Sequence, residues 1–139
     1  MLDSAKNVFY IPELIGIAAS LLLGALWYSP KFLGEIWRKS HGFPQEKLKY
    51  SPIFLAGALL VSIITVIVLS ELLNLYHSHS HKTAIYLGFL FWLGFVATSH
   101  FSGVIWAKKP FKVYLIDVGY LLLMILMNAL ILSMWKEHF

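Results

Sequence analysis

The sequence predicts an all-α integral membrane protein, a four-helix transmembrane bundle, from its composition, its four apolar runs and the charged connections between them. Hydrophobic residues make up 59% of the 139 residues and charged residues 13%, and the mean hydropathy is +0.74. Soluble domains are about 45–50% apolar and about 25% charged. One small core cannot bury this much apolar surface, so lipid must solvate part of it. We therefore expect a single transmembrane domain over residues 1–139, with the lipid bilayer as a partner.

The rest of the composition excludes several functional classes. The chain contains no cysteine, so we expect no disulfide, thiolate metal site or cysteine nucleophile. Its net charge of +4 does not indicate a nucleic-acid partner, because the positive residues lie between apolar runs, where they orient membrane helices. The sequence has no glycine-rich phosphate loop, GxSxG motif or HExxH motif. It therefore predicts no enzyme and no cofactor of those classes.

Four apolar runs have about the length of a membrane span. The predicted spans are residues 11–28, 53–76, 84–106 and 113–135. About 20 residues, at about 1.5 Å each, cross a hydrocarbon layer of about 30 Å. We expect Pro12 to open the first helix and Pro52 the second, since proline is favoured in a first turn. Tyr and Trp cluster at the ends of the runs, as they do at membrane interfaces, and Trp92 is the mid-span exception.

The distribution of positive residues predicts the orientation of the spans. Eight of the eleven lysines and arginines lie in the connections at residues 29–52 and 107–112, which share one side if there are four spans. The other side carries Lys6, Lys82 and Lys136. Because positive residues concentrate in cytoplasmic loops, we expect these two connections in the cytoplasm and both termini outside.

The connection after the first span has a helical pattern of its own. Phe32, Leu33, Ile36 and Trp37 recur at helical spacing between charged residues. This pattern predicts a short interfacial helix lying on the cytoplasmic leaflet, and a one-turn continuation of the first span is the alternative. Gly42 is expected to break the helix.

Polar residues inside the predicted spans are the first candidates for function, because they are costly in lipid. His100 lies six residues before the end of the third run, about 9 Å inside it. Asp117 lies four residues after the start of the fourth run, about 6 Å inside it. In an antiparallel hairpin the two have similar depth, and a carboxylate beside the imidazole raises its proton affinity. A proton relay or anion site is one interpretation, and a buried polar pair that pins two helices is the other.

Neighbouring residues extend this pair to a predicted pocket in the cytoplasmic half of the bilayer. Tyr120 follows Asp117 by three residues and shares its helical face. The candidate pocket residues are Trp27, Tyr28, Thr98, Ser99, His100, Ser102, Asp117 and Tyr120. Such polar groups line solute paths in transporters, and they also serve as contacts between helices.

The outer half of the predicted bundle has its own polar residues. Glu13, Glu71 and Asn74 lie near span ends, where snorkelling to water explains them. Asn128 lies deeper, and we expect it to bond to a neighbouring helix.

Small residues mark the faces on which the helices are expected to pack. Gly16, Ser20 and Gly24 recur at every fourth residue of the first span, and Gly94 begins a similar series on the third. Small side chains let membrane helices approach closely. The pattern predicts a tight bundle, and it fits packing within one chain as well as packing in a homo-oligomer.

The segment between the second and third spans contains His77, His79 and His81. In an extended chain the three imidazoles fall on one edge, which suits zinc, copper or nickel. A solvated outer loop is the plainer interpretation. A transition metal at this loop is the one cofactor that the sequence suggests.

Two blocks of the sequence resemble the signature of a bacterial family of small four-span membrane proteins of unknown function. The first is GALWYSP at residues 24–30, continued to Trp37, and the second is GFLFWLGFV at residues 88–96, continued through His100 to Asp117. The resemblance implies a four-span fold in a bacterial cytoplasmic (inner) membrane. It implies no activity and no site residue.

Two function classes fit these observations. The first is a small homo-oligomeric transporter or channel for a small solute or ion, which uses the region of Trp27, Tyr28, His100 and Asp117. The second is a non-catalytic membrane scaffold that binds lipid or partner proteins through its basic, aromatic cytoplasmic face. A cavity that reaches His100 from the cytoplasm favours the first class, and a sealed bundle with a flat basic face favours the second.

Overall fold

The computed structural model describes residues 2–42, 52–76 and 80–136, which form helices and short connections. In chain order the elements are α1 (Leu2–Trp27), α2 (Gly34–His41), α3 (Pro52–Leu75), α4 (His81–Phe91), a π-helical turn (Trp92–Ala97), α5 (Thr98–Trp106) and α6 (Phe111–Lys136). No strand occurs in this part of the chain. The predicted all-α class is confirmed for the residues that the structure describes.

Among the described residues, three helical segments are long and apolar enough to cross a membrane. They are Leu55–Leu75, His81–Trp106 and Phe111–Met134, where the second comprises α4, the π-helical turn and α5. These segments coincide within a few residues with the predicted second, third and fourth spans. The first predicted span is also helical, but its apolar part, Ile11–Trp27, is shorter than the other three.

Two prolines take different places in their helices. α3 begins at Pro52, as predicted. α1 begins at Leu2 and continues through Pro12, so the expectation that Pro12 opens the first helix is wrong. Proline removes one backbone hydrogen-bond donor from a helix, and here the helix continues on both sides of Pro12. As a result Glu13 lies in the middle of α1 and not near its end.

α6 is the centre of the fold and packs against α1, α2, α3 and α4. A buried apolar cluster joins α3, α4 and α6 and consists of Leu69, Leu73, Ala84, Ile125, Ala129 and Leu132. Gly88 allows the close approach of α4, since a Cβ at this position would lie 3.2 Å from Cγ2 of Ile125. The close helix packing expected from small residues therefore occurs within one chain.

The outer surface of the helices is apolar. Leu22, Ile53 and Phe95 leave 66%, 76% and 69% of their surfaces exposed. Soluble monomers rarely expose continuous apolar patches of more than a few hundred Å². This surface is compatible with contact to lipid.

α2 is a helix separate from α1. Residues 28–33 form tight turns between the two, and the N–H of Leu33 donates to the carbonyl of Trp27 at 3.2 Å. α2 ends at His41, and Gly42 follows with a φ of 79°. This left-handed conformation, which glycine adopts without strain, terminates the helix as predicted. Of the two alternatives for this connection, the separate helix is the one observed.

Two polar residues that were predicted for the outer half of the bundle are buried between helices. Glu13 is 5% exposed, and its Oε1 accepts a 2.6 Å hydrogen bond from the hydroxyl of Ser70. The expectation that Glu13 snorkels to water is therefore wrong. Asn128 is fully buried and donates to Oγ of Ser20 on α1 at 2.8 Å, in agreement with the expected contact to a neighbouring helix.

Candidate functional site

The carboxylate of Asp117, near the start of α6, contacts side chains from three other parts of the chain. Its Oδ1 accepts hydrogen bonds from the hydroxyl of Tyr28 at 2.6 Å and from the indole N–H of Trp37 at 2.9 Å. Its Oδ2 lies 3.5 Å from the ammonium of Lys109. The side chain of Asp117 is 16% exposed, so a largely buried carboxylate is held by a phenol, an indole and a nearby cation.

The turn between α1 and α2 brings Trp37 to this carboxylate. Gly34, the first residue of α2, lies against the carbonyl oxygens of Tyr28 and Ser29 so closely that no Cβ fits. Its N–H donates to the carbonyl of Ser29 at 2.9 Å. The chain therefore reverses within a few residues, and α2 returns toward α6, which it contacts.

Lys109 reaches the carboxylate from the connection between α5 and α6. Lys108 adopts a φ of 55°, a left-handed conformation that is uncommon for residues other than glycine. The N–H of Lys109 donates to the carbonyl of Gly103 at 3.3 Å. This turn ends α5 and places the Lys109 side chain beside the first turns of α6.

Three tryptophan indoles donate hydrogen bonds to three consecutive residues of α6. Trp27 donates to the carbonyl of Ile116 at 2.9 Å, Trp37 to the carboxylate of Asp117, and Trp92 to the carbonyl of Val118 at 2.8 Å. The three donors come from α1, α2 and the π-helical turn. The position of Trp92 in mid-span is thereby explained, because its indole N–H has a protein acceptor and needs no interface water.

Tyr120 extends the cluster along α1. Its hydroxyl donates to the carbonyl of Ser20 at 3.1 Å, and its ring centroid lies 5.5 Å from that of Tyr28. Gly24 makes room for it, because a Cβ there would lie 3.1 Å from the Tyr120 hydroxyl oxygen. The result is a further hydrogen-bonded contact between α1 and α6, in addition to those of Asn128 with Ser20 and of Trp27 with Ile116.

A cavity opens beside these residues, between α1, α2, α3 and α6. Its volume is about 610 Å³, within the range of about 300–1,000 Å³ typical of small-molecule sites. We name it the Asp117 pocket; it is lined by Leu21, Gly24, Ala25, Tyr28, Pro30, Trp37, Leu55, Ala58, Leu59, Asp117 and Tyr120. Most of its wall is aliphatic, and its polar groups gather at the end formed by Asp117.

His41 is a second titratable group near the pocket. Its imidazole packs edge-on against the Trp37 ring, with centroids 4.4 Å apart. Burial lowers the pKa of His41 below its ordinary value of 6.5; the carboxylate of Asp117 acts in the opposite direction, and Lys109 adds to the lowering. The charges of Asp117 and Lys109 therefore both act on the pKa of His41.

The structure brings together half of the predicted pocket residues. Trp27, Tyr28, Asp117 and Tyr120 form one cluster, as described above. The other half, all on α5, lies elsewhere: Thr98, Ser99, His100 and Ser102. Asp117 is bonded to the other groups named above, and the described residues show no hydrogen bond or ion pair between it and His100.

The polar residues of α5 bond to their own helix. Nδ1 of His100 lies 3.0 Å from the carbonyl of Val96, and the hydroxyl of Thr98 donates to the carbonyl of Gly94 at 2.6 Å. Ser99 donates to the carbonyl of Phe95 in the same way. Ser102 is exposed. Such bonds to the residue four positions earlier satisfy hydroxyls that face outward.

A π-helical turn, Trp92–Ala97, directly precedes these residues of α5. A π turn bonds residue i to i+5 and adds a residue to the helix. Every residue after it is therefore rotated relative to an uninterrupted α-helix. The depth of His100 could be estimated from its distance to the helix end, but its direction could not.

The predicted packing residues of α1 lie against α6, whereas Gly94 on the third segment faces no described helix. Asn128 lies directly over Gly16, with its Oδ1 where a Cβ would stand, and the hydroxyl of Ser20 donates to the carbonyl of Gly16 at 2.7 Å. Gly24 faces Tyr120, as described. Gly94 has no described atom within 4 Å of the place of a Cβ, so it packs closely against none of the described neighbouring elements; Gly88 is in close contact with α6 instead.

Two cluster residues, Trp37 and Lys109, were absent from the predicted pocket. The sequence pattern predicts Trp37 on an interfacial helix. The feature that could have pointed to the site is its place in the continuation of the GALWYSP block. Lys109 was counted only for its charge, although it lies in the short connection that leads into α6. Both come from connections, whose path cannot be derived from helical periodicity.

The predicted metal site lies largely outside the described residues, which include His81 but neither His77 nor His79. Nδ1 of His81 lies 2.7 Å from the hydroxyl of Ser133. Within the described ranges no group of three or more His, Cys, Asp or Glu side chains could hold a metal ion.

The fold and the site together define a helical protein with apolar helices of membrane-crossing length and a pocket between helices that is lined in part by a carboxylate. The chain belongs to the family described as "Protein of unknown function (DUF1761)", whose profile matches residues 11–133. The resemblance to an uncharacterised family is thereby confirmed. No curated protein and no solved structure matches the chain.

Proposed function

We propose that the protein is a four-span membrane protein that binds a small amphiphilic cation in the Asp117 pocket and transports it. The observation that carries this proposal is the pocket itself: an aliphatic cavity of about 610 Å³ that ends at a carboxylate surrounded by aromatic rings. An aliphatic wall suits the apolar body of a solute, and a few convergent polar groups fix its orientation.

Charge and ring geometry support a cationic head group. Tyr28, Trp37 and Tyr120 line the pocket beside Asp117; the ring of Tyr28 lies 5.8 Å from that of Trp37 and 5.5 Å from that of Tyr120. Aromatic faces attract organic cations by about 0.5–2 kcal/mol each, more when water is excluded. A carboxylate within the same cluster adds direct charge attraction.

Lys109 acts as the resident cation when the pocket holds no solute. Its ammonium is 3.5 Å from Oδ2 of Asp117, longer than the roughly 2.7–2.9 Å of a strong charge-assisted bond. The Lys109 side chain is 34% exposed, so it can swing to water when another cation arrives. A solute amine or ammonium group would replace it at the carboxylate.

The membrane arrangement that we propose has four spans in a bacterial inner membrane. The apolar part of α1 supplies the first span, and α3, the α4–α5 segment and α6 supply the others. The pocket lies at the end that carries α2 and the α5–α6 connection, which the excess of lysine and arginine assigns to the cytoplasm. Both termini then lie outside.

We also propose that the protein is a homo-oligomer. Gly94 and Ser102 are exposed on the third segment, and small residues at such positions allow a second helix to approach closely. A second copy on this face would leave the Asp117 pocket open, because the pocket is bounded by α1, α2, α3 and α6.

A second candidate function is a membrane scaffold that binds lipid head groups through α2. Phe32 and Ile36 are exposed, and the exposed Lys31 and Lys39 lie beside them. Exposed apolar residues combined with basic residues are typical of a helix at a lipid interface. This candidate needs no solute in the pocket, so a binding experiment separates it from transport.

The test compares two ions of nearly the same shape and opposite charge, tetraphenylphosphonium and tetraphenylborate. Equilibrium dialysis with the protein in lipid nanodiscs should show saturable binding of the phosphonium only. Asp117→Asn should weaken that binding at least about tenfold, or about 1.4 kcal/mol. Glu35→Gln is the matched control: it removes the carboxylate paired with Arg38 at 2.8 Å on α2, outside the pocket lining, and should leave binding unchanged.

A second variant tests the role of Lys109. If Lys109 is a resident competitor, Lys109→Met should strengthen phosphonium binding several-fold, because the carboxylate then has no cation to exchange. Equal binding by wild type and Asp117→Asn would contradict the proposal. Loss of vesicle binding on removal of Lys31 and Lys39, with no phosphonium binding at all, would favour the scaffold.

A further inference from the structure

A second polar cluster lies in the middle part of α1, on the side of the Asp117 pocket that is nearer the start of this helix. It joins α1, α3 and α6 through Glu13, Ser70, Ser20 and Asn128. The hydroxyl of Ser70 donates to Oε1 of Glu13 at 2.6 Å, and the amide of Asn128 donates to Oγ of Ser20 at 2.8 Å. Glu13 is 5% exposed and Asn128 is fully buried. This cluster takes no part in the proposed solute binding.

Two oxygen atoms of this cluster are buried without a hydrogen-bond partner, Oε2 of Glu13 and Oδ1 of Asn128. They are close along α1, because Asn128 Oδ1 lies over Gly16, three residues or about 4.5 Å of helical rise after Glu13. A buried polar atom without a partner destabilises the folded protein, and more so when it is charged. Both atoms are acceptors, so what each lacks is a positively charged or hydrogen-donating partner.

No described cationic side chain supplies that partner. On α3 the neighbouring titratable residue is Glu71, which is exposed and negative. On α6 no titratable residue lies between Tyr120 and Lys136. On α1 the titratable residues that precede Glu13 are Asp3, Lys6 and Tyr10, and no ion pair joins Glu13 to any residue in the described part of the chain. A carboxylate buried without a counter-charge is strongly unfavourable.

We propose that Glu13 and Asn128 form a binding site for a small monovalent cation, a sodium ion or a proton. For sodium, the carboxylate and amide oxygens are hard ligands, and the hydroxyl oxygens of Ser20 and Ser70 adjoin them. For a proton, Oε2 of Glu13 becomes a hydroxyl donor and Oδ1 of Asn128 accepts, directly or through one water. Either cation removes both unpartnered acceptors at once.

A line of polar contacts connects this cation site with the Asp117 pocket. Asn128 bonds to the side chain of Ser20, and the carbonyl of Ser20 accepts the hydroxyl of Tyr120 at 3.1 Å. The Tyr120 ring packs on Tyr28, whose hydroxyl donates to Asp117. Along α6 the line extends from Asn128 to Asp117, 11 residues or about 16 Å of helical rise. Occupancy of the cation site can thus affect the packing of α1 on α6, and with it the pocket.

The test measures thermal unfolding of the full chain in nanodiscs against each cation. In the sodium series, choline replaces sodium at constant ionic strength and constant pH. In the proton series, pH varies above neutrality without sodium. A cation that binds only the folded state raises Tm, on the order of 4 °C for each tenfold increase in its activity once the site is saturating. We expect such a rise in one series or in both.

Variants assign the response to the proposed site. Glu13→Gln keeps the size of the side chain and its amide can donate to Asn128, so this variant should fold and lose the response. Glu71→Gln, which removes the exposed carboxylate on α3, should keep the response of wild type. A response of equal size in Glu13→Gln would overturn the proposal.

Two measurements on wild type alone remain decisive if Glu13→Gln does not fold. Equilibrium dialysis with radioactive sodium reports a bound sodium ion, and the infrared carbonyl band of a carboxylic acid at mildly alkaline pH reports a bound proton. Either result supports the site and identifies its cation. Wild-type protein that shows neither bound sodium nor this infrared band overturns the proposal.

Discussion

The phenolic oxygen of Tyr28 lies 2.6 Å from Oδ1 of Asp117, across 89 residues of sequence. Oδ1 of Asp117 also accepts the indole N–H of Trp37, so one carboxylate atom bonds Tyr28, directly after α1, and Trp37, in the middle of α2, to α6. The geometry at the polar end of the Asp117 pocket depends on this shared acceptor.

A double-mutant cycle should detect this bond. Tyr28→Phe and Asp117→Asn remove its donor and its charge, and their losses in unfolding free energy should be non-additive by about 1 kcal/mol, the scale of a single hydrogen bond in water or in a membrane. His100→Ala paired with Asp117→Asn is the comparison, and should be additive within about 0.3–0.5 kcal/mol. Coupling of His100 instead of Tyr28 would contradict the described arrangement.

The stability of the α2 contact should fall at mildly acidic pH because of His41. Burial lowers its pKa below 6.5 in the folded protein, so the folded state favours neutral histidine. The stability that the protein gains from neutral His41 is fully present above pH 6.5. It is lost as the pH falls from 6.5 through the lower pKa of the folded state. Unfolding midpoints measured across this window should drop for wild type and drop less for His41→Gln. An equal drop in the two proteins would assign the effect to other groups.

Substitution of Gly16 should separate packing glycines from exposed ones. A methyl group at this position meets Oδ1 of Asn128, so Gly16→Ala should destabilise the protein by about 1–3 kcal/mol through overpacking. Gly57 has no described atom within 4 Å of a Cβ position, and Gly57→Ala should be neutral or stabilising by up to about 1 kcal/mol. Denaturant unfolding in detergent measures both. Equal effects of the two changes would contradict the close approach of α1 and α6.

Single cysteines should report the proposed topology, because the chain has no cysteine of its own. An impermeant thiol reagent applied to intact cells should modify Ser80→Cys, which is exposed before α4, and not Ser40→Cys on α2. Permeabilised cells serve as the control, in which both should react. The reverse pattern in intact cells would invert the proposed orientation.

The histidine segment between α3 and α4 stays a predicted metal site. Calorimetric titration with zinc or nickel should show weak binding to wild type that is absent when His77, His79 and His81 are all replaced by alanine. Equal heats for the two proteins would remove this segment as a metal site.

Helix positions and half of the pocket could be predicted from the sequence, because both follow from local pattern and depth. The apolar runs mark the helices, and the positions of Tyr28, Asp117 and Tyr120 relative to helix ends place them at one level. His100 was misplaced because direction depends on helix rotation, and a π turn changes that rotation without changing composition. Glu13 was misplaced because its depth was measured from a helix start that proved to lie at Leu2.

The contacts made by residues near or in the connections between helices could not be predicted from such patterns. Trp37 reaches Asp117 only because Gly34 lets the chain reverse tightly after α1, and Lys109 does so only because of the turn at Lys108. Each depends on backbone dihedrals in a few residues, where many conformations compete. The unpartnered oxygens of Glu13 and Asn128 could not be foreseen either, since they result from the packing of three helices.

The three indoles that donate to residues 116–118 of α6 have an optical consequence. The chain contains five tryptophans, and three of them, Trp27, Trp37 and Trp92, surround one level of one helix from three different elements. Indole emission changes in wavelength and intensity when its N–H partner or its exposure to water changes. The intrinsic tryptophan fluorescence therefore reports changes in the packing of α6 against its neighbours without an added label. Replacing one tryptophan at a time by phenylalanine shows on which side of the helix the packing has changed.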